Sequence, residues 1–272
     1  MRKVLLSVAP VCHETISVPE GVKVPYTPEE VAGEVIECAS MGTGMVHLHV
    51  RNEKGEQTAD LSHFSKTIDL IRKESDIIIQ GSTGGVAELS LEERCVSLND
   101  PRVEVASLNM GSANLGEGVY INTLPDIRYW AKRMMEARVV PEMEIFDLSM
   151  IDSVVKIGKE GFARAPFAFN FCLGFENAIQ ASTDHLNALK RAIPVGSHWG
   201  IIHENMADLS ILAAAAGMGA SSLRYGFEDS FFYGEGRLAR NNMDILDKLI
   251  RLLELMDMEP MTASEARELM GI

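Results

Sequence analysis

Met45-Val46-His47-Leu48-His49-Val50-Arg51 is a short apolar run carrying two histidines two positions apart, and it leads through the polar turn Asn52-Glu53-Lys54-Gly55-Glu56 to a segment of helical period over Ser62–Lys73. Run, turn and helix-period segment make one βα unit, the repeating piece of a parallel sheet. Outward from this unit the same succession recurs in both directions. Apolar runs at Lys3–Ala9, Met45–Val50, Ile77–Gly81, Val103–Leu108, Val139–Phe146, Phe167–Cys172, His198–Ile202 and Ser221–Tyr225 predict eight strands. Helical patterns near Glu29–Ser40, Ser62–Lys73, Leu91–Leu98, Leu124–Ala137, Ser149–Gly158, Thr183–Ala192, Ala207–Ala216 and Met243–Leu255 alternate with them. Eight units in this order predict closure into an α/β (β/α)8 TIM barrel. An open doubly wound sheet often carries G-x-G-x-x-G in its first turn, a fingerprint this chain lacks. No long Pro-, Ser- or Gly-rich linker breaks the alternation, so residues 1–272 are expected to form one domain.

Hydrophobic residues make up 46% of the chain, enough for a sizeable core, and no run approaches the roughly 18 apolar residues of a membrane span. The amino-terminal run superficially resembles a signal peptide, but it is short and meets Pro10 and Cys12 without a small-residue cleavage site. Cys12, Cys38, Cys95 and Cys172 are scattered, which indicates neither a disulfide framework nor a zinc knuckle and favours the reducing cytoplasm. A net charge of −14 argues against nucleic acid and anionic membrane as partners, because neutralising phosphate needs clustered Lys and Arg.

Barrel sites gather at the carboxyl ends of the strands, so polar residues there carry the functional reading. His47 and His49 share one strand face at such an end and are expected to reach the same divalent metal ion. A catalytic zinc takes three protein ligands and leaves a position open, and Glu228, just after the last strand, is the candidate third ligand because that strand curves round toward the first. The same set could hold Fe(II) or Mn(II). Gln80-Gly81-Ser82-Thr83-Gly84-Gly85 closes the third strand with flexible backbone and two hydroxyls suited to a carboxylate or carbonyl, and Ser107 could join Ser82. Glu14, Glu144 and Asp147 add carboxylates to the same rim, Asp147 as a solvated loop residue. His198 and His203 flank the seventh strand as possible pocket residues, whereas His13, His63 and His185 read as ordinary surface or core histidines.

His47-Leu48-His49-Val50-Arg51, Ser82-Thr83-Gly84-Gly85, Ala106-Ser107-Leu108-Asn109, Pro141-Glu142-Met143-Glu144, Arg224-Tyr225-Gly226-Phe227-Glu228-Asp229 and Glu265-Ala266-Arg267-Glu268-Leu269 together resemble the β-keto acid cleavage enzymes, zinc-dependent (β/α)8 proteins, over nearly the whole chain. The resemblance implies a reaction in which a β-keto acid and acetyl-CoA become acetoacetate and a new acyl-CoA. It implies zinc at His47, His49 and Glu228, substrate contacts from Glu14, Ser82, Gly85 and Ser107, and catalytic roles for Arg224 and Asp229, beside which Glu144 is placed. Ile202-His203-Glu204-Asn205-Met206 departs from the Gly-Arg type pair of many relatives, and Ser107 stands where some carry Thr. Glu14 is read as the partner of a cationic substrate tail. Family likeness and an apolar outer shell of helices suggest a homotetramer. Two other readings compete: an amidohydrolase-type metal hydrolase, whose H-x-H normally belongs to the first strand, and a metal- or metabolite-binding barrel without catalysis.

Overall fold

A computed structural model describes residues 1–85 and 89–272. Eight parallel strands form its centre: β1 (Arg2–Val8), β2 (Met45–Leu48), β3 (Ile78–Gly81), β4 (Val105–Asn109), β5 (Val140–Ile145), β6 (Ala168–Leu173), β7 (His198–His203) and β8 (Ser222–Tyr225). Each pairs with its neighbour in chain order, and β8 returns to β1 in parallel register, Leu5 opposite Ser222 and Val8 opposite Tyr225. The sheet therefore closes into the TIM barrel that the sequence predicts.

The outer helices are α1 (Pro28–Ser40), α2 (Ser62–Ile71), α3 (Leu124–Ala137), α4 (Met150–Lys159), α5 (Thr183–Ala192), α6 (Ser210–Met218) and α7 (Asn242–Leu255). Local chemistry starts several of them. Thr27 with Glu30, and Thr123 with Asp126, form reciprocal capping boxes, each followed by proline in the first helical turn. Between β3 and β4 the expected α-helix over Leu91–Leu98 is instead a 3-10 helix, Glu93–Asn99, because Cys95 leaves helical geometry at φ −107° and ψ 21°. Two hairpins were not expected: Ala113–Leu115 with Gly118–Tyr120 after β4, and Phe232–Gly234 with Arg237–Leu238 after β8. At the carboxyl terminus Met258–Pro260 pairs with Arg2–Val4 and leads into α8 (Ala263–Met270), capped by Thr262 and Glu265. No helix of the described residues is long and apolar enough to cross a membrane.

Strand alternation sorts side chains into two environments. Val46, Leu48, Ile79, Leu108 and Ile145 pack outward with helix residues such as Val35, Ile68, Trp130 and Leu249. Leu5, Met45, Ile78 and Val105 form a separate cluster with Met261 and Ala266, so the α8 segment plugs the amino-terminal end of the bore. Two residues further along the same strand faces the bore turns polar: Ser7, His47, Gln80, Ser107 and Arg224 are all buried there. Burying so many polar groups is unfavourable unless they are hydrogen-bonded, so this layer is where function has displaced packing.

Candidate metal centre

His47 on β2 and His49 one pleat beyond it bring their Nε2 atoms 3.5 and 3.4 Å from Glu228 Oε1. One ligating atom from each lies within 4.8 Å of the others, and among the described residues this is the only group of three so placed. Each histidine is held from behind. His47 Nδ1 meets Gln80 Oε1 at 2.7 Å, which makes Nδ1 the protonated nitrogen and leaves the Nε2 lone pair toward Glu228. Gln80 in turn donates to Glu142 at 2.7 Å, and Asn170 donates to the same carboxyl oxygen at 2.9 Å, so a hydrogen-bonded chain crosses the bore beneath the histidines. His49 Nδ1 lies 2.8 Å from the Gln57 side-chain amide.

Burial lowers both imidazoles, His47 to about 3, so they stay neutral at ordinary pH. Burial also opposes ionisation of Glu228, but the Arg224 guanidinium 3.3 Å away and the hydrogen bond from His49 outweigh it and hold the carboxyl well below its usual range. The His47 lone pair and the Glu228 carboxylate are aimed at one point and repel one another unless a cation sits between them, and His49 Nε2 is the third atom that faces it. This donor set of two nitrogens and one oxygen fits zinc, and Fe(II) or Mn(II) equally well.

Glu228 reaches that point because of the turn after β8. Gly226 adopts φ +132°, and a Cβ there would lie 2.3 Å from the Ala9 carbonyl oxygen, so no other residue fits without displacing β1. The Glu228 N–H then donates to the Ala9 carbonyl at 3.1 Å, while the Asp229 and Ser230 N–H groups donate to the Gly226 carbonyl at 3.0 Å each. Arg224 Nε donates to Asp229 Oδ2 at 3.0 Å and its Nη2 makes a second contact with Oδ1. The same guanidinium thus joins Glu228 of the candidate metal cluster to a second, buried carboxyl. Burial pushes Asp229 up to about 6 against the pull of Arg224.

These groups open on a cavity of about 220 Å³ at the carboxyl ends of the strands. His47, His49, Ser82, Gly85, Glu144 and Arg224 all stand on its wall. Ser82 Oγ accepts the Gly84 N–H at 3.0 Å. Glu144 accepts from Asn109 Nδ2 at 2.9 Å, and burial raises its carboxyl to about 8. Ser107 and Glu14 stand off the cavity wall. Ser107 is 1% exposed and lies under the turn, its Oγ 3.3 Å from the Thr83 N–H, so it supports the turn and does not line the cavity. Glu14 sits at the rim outside the cavity wall, with Oε2 3.0 Å from Arg51 Nη1. Asp147 is a loop carboxylate that accepts the Ser149 N–H at 2.9 Å. His198 lies at the amino end of β7, and His203 packs against Gly174, so neither joins the wall.

The wall also contains residues to which the sequence assigned no role in the site. His13 was read as an ordinary histidine, yet it lines the cavity with Ile16. Asn109 closes β4 and was visible only as part of a motif, Glu204 follows β7 with its carboxyl raised by burial to about 8, and Tyr120 arrives on a hairpin that left no periodic signal.

Comparison with known proteins fixes the relationship. Residues 3–272 match the beta-keto acid cleavage enzyme family. The 3-keto-5-aminohexanoate cleavage enzyme of Fusobacterium nucleatum subsp. nucleatum is 34% identical over 274 residues, 100% of this chain and 99% of that protein. The 3,5-dioxohexanoate:acetyl-CoA acetone transferase of Paraburkholderia graminis is 26% identical over 302 residues, 100% of this chain and 96% of that protein. Among solved structures, a ternary complex of ObcA with a C4-CoA adduct and oxalate superposes with a TM-score of 0.77 over 92% of this chain and 67% of that one; at 19% identity this likeness bears on the barrel alone. With a match spanning the length of the barrel and every strand end that builds the site, this chain belongs to the β-keto acid cleavage enzyme family.

Proposed function

We propose that the chain is a zinc-dependent acyltransferase that converts a β-keto acid and acetyl-CoA into acetoacetate and the CoA ester of the remaining acyl group. One observation carries the reading: Arg224 ties Glu228 of the three-ligand cluster to the adjacent buried carboxyl of Asp229, placing a basic group beside a cation site. When bound, a divalent cation supplies Lewis acidity to the ketone oxygen and acidifies the carbon between the two carbonyls.

The rest is done by side chains. Ser82 and the backbone of the turn through Gly85 bind the substrate carboxylate, with Ser107 bracing the turn from below. Asp229, oriented by Arg224, takes the proton from carbon 2 on a carboxylate oxygen. Carbon 2 then bonds to the acetyl carbonyl carbon as CoA thiolate leaves. The thiolate attacks the original ketone carbon, the bond from that carbon to carbon 2 breaks, and Asp229 returns its proton to carbon 2 of acetoacetate. Glu144, kept protonated by burial, faces this chemistry as a neutral hydrogen-bonding acid.

The tail we propose carries an ammonium group, as in the 3-keto-5-amino acid named for the Fusobacterium relative, with Glu14 at the rim and Glu204 on the wall as the carboxyls that meet it. The test is a panel of β-keto acids with cationic, anionic and apolar tails, each incubated with acetyl-CoA and read by mass for acyl-CoA and acetoacetate. Equimolar products, best with the cationic acids, are expected. Binding without acetoacetate, or hydrolysis that needs no acetyl-CoA, would reject the reading, and preference for apolar acids would reject the ammonium tail.

A further inference from the structure

Tyr120 is 6% exposed and stands on the cavity wall at the end of the hairpin after β4. Three donors converge on its hydroxyl oxygen: the Gly85 N–H at 3.1 Å, Asn109 Nδ2 at 3.0 Å and, more distantly, Arg94 Nη2 at 3.4 Å. A phenol oxygen has two lone pairs and one proton. With its acceptor sites taken, the oxygen has only the proton left to offer, and no acceptor for it appears among the described residues.

The neighbouring hydroxyl has the same bias. Ser82 Oγ accepts the Gly84 N–H, so its proton too is free to point into the cavity. The two oxygens share a narrow space: a Cβ on Gly84 would lie 2.8 Å from Tyr120 Oη and 3.3 Å from Ser82 Oγ. Arg94 fixes the ring, its guanidinium carbon 5.3 Å from the Tyr120 ring and 4.1 Å from the Trp130 ring, while Nη1 donates to the Ile121 carbonyl at 2.9 Å and Nη2 to Asn122 Oδ1 at 2.6 Å. A cluster of inward-pointing O–H donors backed by a guanidinium is built for an anion.

We propose that the Tyr120 hydroxyl is a substrate-binding group that, with Ser82, donates a hydrogen bond to the carboxylate of the β-keto acid. This rests on the β-keto acid reading above and adds a residue to it. Burial keeps the phenol protonated, raising it to about 12, so it serves as a donor and not as a base. Glu144 alongside is itself raised to about 8, so it puts little negative charge against the incoming carboxylate at neutral pH.

The test uses zinc-loaded protein and acetoacetate without acetyl-CoA, so that nothing turns over. Tyr120→Phe is expected to weaken acetoacetate binding by about tenfold to a hundredfold, the loss typical of a hydrogen bond to a charged group, with zinc content unchanged and a lower Tm from the donors the hydroxyl leaves behind. Acetoacetate labelled with 13C at carbons 1 and 3 locates the contact: the bound carboxyl resonance should move in Tyr120→Phe while the ketone resonance stays. Gly84→Ala, which pushes a methyl between the two hydroxyls, should repeat the loss. Unchanged affinity in Tyr120→Phe overturns the proposal, and so does a loss accompanied by equal movement of both resonances, which would make Tyr120 structural. If the unsubstituted protein itself fails to bind acetoacetate, the β-keto acid reading falls first and this inference with it.

Discussion

His47 meets Glu228 and Asp229 meets Arg224 of the same ion pair, yet their substitutions should fail in different ways. His47→Ala removes one of three ligands and should leave the purified protein with little zinc by elemental analysis, because the remaining two donors seldom retain a catalytic ion. Asp229→Asn keeps all three ligands and one of the two hydrogen bonds from Arg224 but removes the base. Zinc should remain stoichiometric while acyl-CoA formation falls by about 10²–10⁴-fold; normal turnover in that variant removes Asp229 from the proposed base role. Gln80 gives an intermediate case. It touches no ligand position, but its Oε1 fixes the His47 tautomer, so Gln80→Leu should weaken zinc affinity by about 10- to 100-fold in a chelator competition. An unchanged affinity would mean that the Asn170–Glu142–Gln80 chain does not reach the metal centre.

At the scale of the element, the turn after β8 is the most demanding piece of the site. Gly226→Ala would force an L side chain to φ +132° and a carbon 2.3 Å from the Ala9 oxygen, a penalty of roughly 1–3 kcal/mol from strain before β1 moves. Denaturant unfolding should show the lower stability, and zinc per chain should fall because Glu228 rides on the same turn; full stability in the variant would show that the turn relaxes freely. Such turns also explain what could be read from the sequence. The eight strands were legible because each is a short apolar run between polar turns, and His47, His49 and Glu228 because they sit at strand ends where barrel chemistry gathers. The hairpin carrying Tyr120 was not. Its strands are three residues each with mixed exposure, Ala113–Leu115 and Gly118–Tyr120, too short for any period to register. Glu14 and Ser107 show what the sequence leaves open: position at a strand end fixes neighbourhood, but the partners Arg51 and Thr83, met only in three dimensions, decide which way a side chain turns.

For the whole molecule, the polar bore has a thermodynamic consequence. Glu144 and Glu204 are each raised to about 8 by burial, and Glu142, held by Gln80 and Asn170, is raised as well. In the unfolded chain the same carboxyls titrate near 4.3. The folded state therefore binds more protons than the unfolded state between those limits, and stability that is fully present below the unfolded value is lost as pH rises toward 8. Each such group contributes a slope approaching about 1.4 kcal/mol per pH unit across that window. Below about pH 6.5 the buried histidines, lowered in the folded state, act in the opposite sense, so metal-free protein should show a falling unfolding free energy from pH 7 to 8.5, in a chain whose net charge of −14 already favours expansion at high pH. Glu144→Gln separates the two contributions. It keeps the shape and the Asn109 contact but has no proton to lose, so the pH slope should flatten by the share of one group while surface repulsion stays the same. A slope identical to that of the unsubstituted protein would mean that Glu144 already ionises in the folded barrel, and its part in the proposed reaction would then be that of a carboxylate, not a neutral acid.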